Sequence, residues 1–482
     1  MQTTFFSVLI RNLTVAALFC FTAAVFAAEC PPLPKRDVMT QKYWDLWNDE
    51  VQSKLDARIE KYRKADATVE LTDVKAGSEI KVEQITHQFL FGANMFNFGQ
   101  LGSKEWDDKY KAVYHTLFNT AAIPFYWKKF EREPGNLHFK TTEDDNPEFW
   151  AKVYSEKRDP TQEWYWRRPA TDQMVEYCEK NGVFRHGHPM IWGNDRWHHP
   201  DWLPKKVENL PAMEKAFEKR IRELAAHYKG RINRWDIVNE SGGDRLNDSL
   251  RPDFDADNPK GKYGIMPKDY TYKAFKVTNE VLPAGVVQCI NDYNMSDVYV
   301  KQVSDLRSRG IRIDMVGLQM HLFNPKQCID ISQGAEIQTP SYLYGLMNRF
   351  DAMETPLHLS EITITAPGDD AVGREIQANI ARNLYRAWFS WKNMEAITWW
   401  NVVDGCGAPG EPLTSGLFTR TMEPKPSYFA LERLINHEWK TKFTKKAEGS
   451  KVSIPFRGFK GKYKITYTNT AGQVLSKEIE VK

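Results

Sequence analysis

Two glutamates stand at the ends of short apolar segments. Glu240 ends the segment 235–240, and Glu361 ends the segment 357–361. A carboxyl group at the end of a buried strand is desolvated on one side, which raises its pKa. Retaining glycosidases use one carboxylic acid to protonate the leaving oxygen and one carboxylate, about 5 Å away, to attack the anomeric carbon. We therefore expect Glu240 and Glu361 to form a catalytic pair, and structural ion pairs are the alternative.

Other catalytic chemistries find less support in the chain. Four histidines raise the question of a metal site: His186, His188, His198 and His199. However, the last two are adjacent in sequence, and no His-Glu-x-x-His spacing is present. No Gly-x-Ser-x-Gly motif supports a serine nucleophile. We expect neither a metal nor a cofactor.

The elements that would position these residues follow a repeating pattern. Eight short apolar runs occur at 89–93, 120–125, 183–188, 232–238, 286–290, 313–320, 357–359 and 396–402. Amphipathic stretches lie between these runs, and the helical candidates among them include 213–228, 272–281, 298–308 and 372–391. Strands that alternate with helices eight times predict an α/β fold, a (β/α)8 TIM barrel. An open doubly wound sheet is the rival, but no glycine-rich phosphate turn follows the first strand.

Two long connections could shape a cleft at the ends of the strands. Residues 140–170 carry Trp150, Trp164 and Trp166, and residues 241–268 are polar and follow the fourth strand. Loops at the carboxyl ends of barrel strands hold the active site in this fold, and surface decoration is the alternative.

The barrel is expected to carry a small β appendage. We predict an N-terminal helical segment over 28–65, a β hairpin over 66–88, the catalytic barrel over 89–440, and β strands over 441–482. The strands at the two ends are too few to be stable alone, so they should pair in a sandwich-like unit.

Residues 1–27 have the features of a signal peptide. Arg11 precedes an apolar run, and small residues mark a cleavage site at 25–27. We therefore expect a secreted or periplasmic protein. Five cysteines remain after removal of this segment, an odd and sparse set that predicts no disulfide framework but permits one or two bridges.

The overall composition excludes several classes of protein. The 482 residues include 66 basic and 63 acidic side chains, so no strongly basic face for nucleic acid is expected. Nothing after the first segment is apolar for long enough to span a bilayer. The 16 tryptophans suit either a large core or sugar binding. We expect a monomer.

Seven motifs in chain order resemble glycoside hydrolase family 10, the retaining β-1,4-xylanase family of (β/α)8 barrels. They lie between about Phe89 and Trp439, at 187–192, 235–240, 291–294, 319–321, 360–361, 397–400 and 424–428. The resemblance implies that Glu240 is the acid/base and Glu361 the nucleophile. It also implies substrate contacts for His188, Trp192, Asn239, Asn291, Tyr293, Gln319, His321 and Trp400, with the last as a sugar platform.

The chain departs from the family pattern at four places. The family has Glu-Asn-x-Met-Lys-Trp where this chain has Ile-Pro-Phe-Tyr-Trp at 123–127, so the polar residues for the distal glycone sugar are missing. Thr363 replaces an aspartate two residues after the nucleophile, which would leave the imidazole of His321 less readily protonated. Gly193 replaces a histidine, and no tryptophan follows Asp404.

The sequence therefore predicts an exported, retaining endo-β-1,4-xylanase that acts on a polysaccharide with two glutamates. Two alternatives remain. The same mechanism could act on another β-linked poly- or oligosaccharide, because the residues that contact the distal sugar have changed. The second alternative is a carbohydrate-binding protein that has lost turnover, which is suggested by Thr363 and by the missing tryptophan after Asp404.

Overall fold

Eight parallel strands form the centre of the protein. The computed structural model describes residues 29–143, 145–157, 168–242, 260–261, 264–408 and 410–482. We number the barrel strands β1 to β8 in chain order: β1 Leu90–Asn94, β2 Thr120–Pro124, β3 Phe184–His188, β4 Arg234–Asn239, β5 Val287–Asp292, β6 Met315–Leu322, β7 Leu357–Ile364 and β8 Met394–Trp399. Each strand pairs with the next, and β8 pairs with β1, so the sheet is closed. The predicted TIM barrel is confirmed, and the open sheet is excluded.

The barrel strands are buried on both faces, which explains their apolar sequences. Every residue of β4 and β7 is buried, as expected for parallel strands covered by helices. A further short strand, Ile191–Trp192, runs parallel to the end of β4. Its pairing places Trp192 beside Asn239 at the carboxyl-terminal mouth of the barrel.

Helices surround the barrel. The longer ones are Lys104–Thr116, Thr171–Lys180, Leu210–Tyr228, Tyr270–Val281, Asp297–Ser308, Pro340–Asp351 and Ala371–Phe389. Shorter ones are Gln41–Leu46, Trp127–Phe130, Pro147–Ser155, Pro325–Ser332 and Pro426–Glu432, and Asp49–Arg63 lies before the barrel. The four predicted helices agree with observed ones to within three residues at each end. Polar side chains at the N-caps define several starts, as where Asp370 accepts a hydrogen bond of 2.7 Å from the Gly373 amide.

The appendage is built from both ends of the chain, as predicted, but it contains no hairpin over 66–88. Lys64–Thr72 pairs antiparallel with Lys451–Phe459 in one sheet. Glu79–Gln84 lies in another sheet, between Lys442–Lys446 and Gly461–Thr468, and Val474–Val481 completes that sheet. The two N-terminal strands therefore do not pair with each other. Local alternation marks each strand but does not select its partner.

A separate apolar cluster joins the two sheets of the appendage. It contains Val69, Leu71, Val74, Ile80, Val82, Ala447, Val452, Ile454, Tyr463, Ile465 and Val481. The unit also contacts the barrel, because Arg63 donates hydrogen bonds to the carbonyl oxygens of Phe389 and Trp391. The Trp439 ring stacks on Phe389 at 4.1 Å between ring centres.

Several loop and terminal predictions meet the structure only in part. Trp150 is buried in a small cluster within the helix Pro147–Ser155, so it does not face an open cleft. Trp164, Trp166, the signal segment and most of the 241–268 connection lie outside the described residues. The described cysteines are all free thiols: Cys30, Cys178, Cys289, Cys328 and Cys406. Among the described helices, none has the length and apolar character needed to cross a bilayer.

Candidate active site

Glu240 follows β4 directly and is held at its backbone and its carboxylate. Its φ of 55° places it in the left-handed region, and its amide donates a hydrogen bond of 2.7 Å to the Asn291 carbonyl. Trp192 Nε1 donates to Oε2 at 3.1 Å. Burial, followed by the negative charges of Glu361 and Asp292, raises the pKa of Glu240 to about 8. The group is therefore a carboxylic acid near neutral pH, suited to donating a proton.

Glu361 lies within β7 and is only 4% exposed. Its Oε1 accepts hydrogen bonds from Asn291 Nδ2 at 2.7 Å and Gln319 Nε2 at 2.9 Å. Two imidazoles approach the same carboxylate. His321 Nε2 lies 3.4 Å from Oε2, and His188 Nε2 lies 3.7 Å from Oε1. The carboxylate is thus fixed in one orientation by amides and flanked by two rings.

Gln319 connects the two glutamates. Its Nε2 lies 2.9 Å from Glu361 Oε1 and 3.2 Å from Glu240 Oε1. The two carboxylate oxygens are therefore separated by at most the sum of these distances, 6.1 Å. Two carboxyl groups that share one amide donor lie close together, as the carboxyl pair of a retaining glycosidase does.

Asn291, the next-to-last residue of β5, organises the floor of this pair. Its Nδ2 uses both protons, one toward Glu361 and one toward Asn239 Oδ1 at 2.8 Å. Its Oδ1 accepts from the Ser360 hydroxyl. Gly317 lies against it on β6, where an added Cβ would stand 2.5 Å from Asn291 Oδ1. Only a residue without a side chain leaves the amide in this position.

His188 is oriented by Asp236, a residue of β4. The distance from His188 Nδ1 to Asp236 Oδ2 is 2.7 Å, and both side chains are buried. Burial opposes the charge on this ring. The hydrogen bond to Asp236 and the charges of Glu361 and Asp236 outweigh it, so the pKa of His188 lies above its usual value. The ring therefore brings positive charge toward Glu361.

The buried layer beneath His188 is polar. His186 Nε2 lies 3.0 Å from the same oxygen of Asp236. Arg234 Nη1 lies 3.0 Å from His358 Nδ1, and His358 Nε2 lies 2.8 Å from the Thr398 hydroxyl. Because arginine can only donate, the Nδ1 of His358 accepts and its Nε2 donates.

The other histidines considered for metal binding are buried and neutral. Burial lowers the pKa of His198 and of His199, the latter to about 3. The Trp127 amide donates to His198 Nδ1 at 3.4 Å, which gives that ring a structural contact. Within the described part of the chain, no three or more His, Cys, Asp or Glu side chains are grouped so as to hold a metal ion.

His321 meets the substituted position of β7. Its Nδ1 lies 2.9 Å from the Thr363 hydroxyl, where a carboxylate would otherwise stand. The ring stacks on Phe323 with 4.4 Å between centres and an angle of 8°. His321 is therefore fixed by a neutral hydroxyl and an aromatic face.

Aromatic rings line the mouth above the glutamates. Trp400 meets His188 edge to face at 5.3 Å and Phe96 at 5.0 Å. Tyr126 lies 6.0 Å from Trp192 and 5.7 Å from His188, measured between ring centres. Apolar ring faces of this kind suit the C–H faces of a sugar.

The structure brings together nine of the ten residues singled out in the sequence. These are Glu240, Glu361, His188, Trp192, Asn239, Asn291, Gln319, His321 and Trp400, each joined to another of them by a contact given above or by a 3.3 Å hydrogen bond from Gln319 to Asn239. Tyr293 follows β5 directly and is half-buried. Sequence reasoning did not assign roles to Asp236, Ser360, Phe96 or Tyr126. Asp236 lies inside the motif at 235–240, which was the signal available for it.

The positions that depart from the family pattern have other uses. Lys128 forms an ion pair of 2.8 Å with Asp201, so it does not replace the missing polar residues of β2. Asp404 forms a buried ion pair with Lys425, with Nζ 3.0 Å from Oδ1. Gly405 follows it with a φ of 69°, a left-handed turn where a tryptophan would be strained.

Known proteins resemble this chain over much of the barrel. The sequence model of Glycosyl hydrolase family 10 matches residues 136–434. Endo-1,4-beta-xylanase B of Thermotoga neapolitana is 25% identical over 281 residues, which cover 56% of this chain and 74% of that protein. Anti-sigma-I factor RsgI6 of Acetivibrio thermocellus is 25% identical over 327 residues, but the chain spans only 38% of its length.

A solved structure supports the same fold. Native xylanase 10B from Thermotoga maritima superposes with a TM-score of 0.52 at 19% identity, covering 73% of this chain and 96% of that one. At this identity the likeness concerns the fold alone. The family match is broader evidence, because it spans more than half of the 482 residues. The chain belongs to glycosyl hydrolase family 10 and is a glycoside hydrolase similar to endo-1,4-β-xylanases.

Proposed function

We propose that the protein is an exported, retaining endo-β-1,4-xylanase in which Glu240 is the acid/base and Glu361 the nucleophile. The observation that carries the proposal is the bridge through Gln319, which keeps Oε1 of Glu240 within 6.1 Å of Oε1 of Glu361. Retaining glycosidases separate their carboxyl groups by about 5–5.5 Å, and inverting enzymes by about 6.5–9.5 Å.

In the first step, Glu361 attacks the anomeric carbon. Oε1 already accepts two amide hydrogen bonds, so Oε2, on the side of His321, is the attacking oxygen. A bond forms between Oε2 and the anomeric carbon as the glycosidic C–O bond breaks. The electron pair of that bond stays on the leaving oxygen, which takes the proton of Glu240.

In the second step, water replaces the enzyme on the sugar. Glu240 is now a carboxylate and removes a proton from water, whose oxygen attacks the anomeric carbon and releases Glu361. The charge of Glu361 helps to raise the pKa of Glu240. Formation of the ester removes that charge, so the pKa of Glu240 falls when the group must act as a base.

The surrounding residues are proposed to bind and position the sugar. Asn239, whose Oδ1 accepts hydrogen bonds from Asn291 and Gln319, would contact the 2-hydroxyl. Trp400 would carry the sugar ring on its face. Further contacts are assigned to His188, Trp192, Asn291, Tyr293, Gln319 and His321. The similarity to Endo-1,4-beta-xylanase B supports xylan as the polysaccharide, and the apolar run after Arg11 supports export.

The proposal is tested by hydrolysis of xylan with Glu361→Ala and Glu240→Gln. We expect Glu361→Ala to lose turnover by at least about 10⁴-fold, with an unchanged circular dichroism spectrum. Glu336→Ala is the matched control, because Glu336 is an exposed glutamate outside the site. Proton NMR of the first product should show the β anomer, because two displacements retain configuration.

Different results would point elsewhere. Normal hydrolysis by Glu361→Ala, or an α-anomeric first product, would contradict the assigned mechanism. Release from an aryl β-glucoside but not from an aryl β-xyloside would indicate another β-linked substrate. Oligosaccharide binding without release from either compound would indicate a binding protein.

A further inference from the structure

The glycone side of the cleft lies where β8, β1 and β2 are neighbours. This statement rests on the proposed function, in which Glu240 protonates the leaving sugar. Glu240 follows β4, which lies opposite β8 in the closed barrel. The leaving part of the substrate therefore lies toward β4. The retained part extends toward β8, β1 and β2. The polar pair expected after β2 is absent from this region.

An aromatic wall with one buried cation occupies that region. Phe96 lies edge to face with both Trp400, at 5.0 Å, and Tyr126, at 5.7 Å. The guanidinium carbon of Arg168 lies 3.9 Å from the centre of the Phe96 ring and 5.8 Å from that of Tyr126. Arg168 is buried. Phe96 is only 1% exposed and Trp400 only 5%, so the wall is closely packed, with the cation stacked on Phe96.

The loop after β8 adds a fixed carboxylate to this wall. Glu411 Oε2 accepts a hydrogen bond of 2.7 Å from Asn401 Nδ2, and Asn401 directly follows Trp400. Gly407 packs against the same carboxylate, since an added Cβ would stand 2.5 Å from Oε2. Glu411 is half-buried. One of its oxygens is thus held while the side chain retains access to solvent.

The charge of Glu411 acts on two residues of the wall, Arg168 and Tyr126. Burial lowers the pKa of Arg168, and the charge of Glu411 acts in the opposite direction, as do Tyr126, Tyr110 and Cys406. Burial raises the pKa of Tyr126, and the charges of Glu361, Glu411 and Glu240 raise it further, against Arg168. Tyr126 therefore feels both catalytic carboxylates and Glu411.

We propose that Glu411 is a specificity-determining residue that reads the sugar next to the cleaved unit on the glycone side. Its carboxylate accepts hydrogen bonds from the hydroxyls of a neutral sugar. Because Arg168 is buried against Phe96, the accessible charge among the described residues of this wall is the negative charge of Glu411. A sugar that carries a carboxylate there, such as a glucuronic acid substituent, is therefore disfavoured.

The experiment compares two xylo-oligosaccharides of equal length, one neutral and one with glucuronic acid on that sugar. For the wild type we expect kcat/KM to favour the neutral compound by roughly 10-fold or more. Glu411→Gln should lower kcat/KM for the neutral compound by about 10-fold. The ratio of kcat/KM for the neutral to the acidic compound should fall to about 3-fold or less. Glu411→Gln should lower kcat/KM for the neutral oligosaccharide more than it lowers kcat/KM for an aryl β-xyloside, which has no second sugar on the glycone side.

Two further variants separate charge from position. Gly407→Ala forces the carboxylate of Glu411 to move but keeps its charge. It should therefore lower kcat/KM for the neutral oligosaccharide, while the ratio of kcat/KM for the neutral to the acidic oligosaccharide stays as in the wild type. Glu423→Gln removes an exposed carboxylate of the same loop, 3.8 Å from Lys109, and should behave as the wild type. An unchanged preference in Glu411→Gln, or a wild type that prefers the acidic compound, would overturn the proposal.

Binding measurements keep this test separate from that of the proposed function. Calorimetry with Glu361→Ala gives Kd for both oligosaccharides without turnover, and Glu411→Gln introduced into that variant should narrow the difference in Kd. If the wild type hydrolyses neither compound but the Kd values follow this order, the proposed function fails and the role of Glu411 stands. If hydrolysis occurs and Glu411→Gln changes neither ratio, the role of Glu411 fails alone.

Discussion

His188, the last residue of β3, and Asp236 of β4 meet with 2.7 Å between Nδ1 and Oδ2. The two imidazoles at Asp236 hold its pKa below the usual value despite burial, so the carboxylate is ionised and can only accept. His188 must therefore carry its proton on Nδ1. This fixes the ring and directs Nε2 toward Glu361.

Asp236→Asn should weaken catalysis through His188. The amide removes a negative charge and can offer its NH2 group to the ring, so the pKa of His188 should fall. We expect kcat to drop on the order of 10- to 100-fold, as when other orienting partners are lost. His186→Asn, which removes the other imidazole at Asp236, should have a smaller effect. Unchanged kcat and an unchanged NMR titration of His188 would contradict this role.

Glu240 should set the basic limb of the pH profile. Its pKa is raised to about 8, so the acid is present below this value and kcat/KM should fall above it. Glu240→Gln should abolish this limb. On substrates with poor leaving groups it should also lower kcat by about 10²- to 10⁴-fold. A wild-type basic limb that survives in Glu240→Gln would assign it to another group.

The same shift affects stability. A carboxyl group with a raised pKa contributes stability that is fully present below its unfolded value of 4.5 and is lost as the pH rises through about 8. At roughly 1.4 kcal/mol per pKa unit, the contribution is at most about 5 kcal/mol. The Tm of Glu240→Gln relative to the wild type should therefore rise as the pH increases from 5 to 9. A constant difference in Tm would contradict the shift.

The barrel could be predicted from sequence because buried parallel strands are short, nearly continuous apolar runs. The ends of the strands were harder to predict where the buried residues are polar. The prediction for β7 ended at Leu359, but the strand continues to Ile364 because Ser360, Glu361 and Thr363 are buried within it. The hairpin was wrong for a different reason, since alternation of side chains does not determine which distant strand completes the ladder.

Residues whose type implies a chemical role could be predicted from the sequence. Residues that only position or pack against others were harder to predict. Each of the two glutamates follows an apolar run and could be found in this way, although Glu361 lies within β7 and not at its end. The buried contact of Asp236 with two imidazoles depends on three-dimensional packing, as does the wall made by Phe96 and Tyr126. The Gln319 bridge also requires the register of β6 against β7.

Gly317→Ala should disturb Glu361 without touching it. A Cβ at this position would stand 2.5 Å from Asn291 Oδ1, so Asn291 must move and its bond to Glu361 is lost. We expect kcat to fall about 10²-fold with a small change in KM. Gly345→Ala is the control, because Gly345 lies in a helix with open space around it. Equal kcat values for the two variants would contradict the role of Asn291.

The appendage should unfold with the barrel. Ile465 is buried in the cluster between its two sheets, and Ile465→Ala should cost about 2–5 kcal/mol of local stability. Because both N-terminal strands pair with C-terminal ones and Arg63 binds barrel carbonyls, we expect one calorimetric transition at a lower Tm, with kcat at 25 °C retained. Val474→Ala, at an exposed position of the edge strand, should leave Tm unchanged. Two separate transitions in Ile465→Ala would show that the appendage is an independent folding unit.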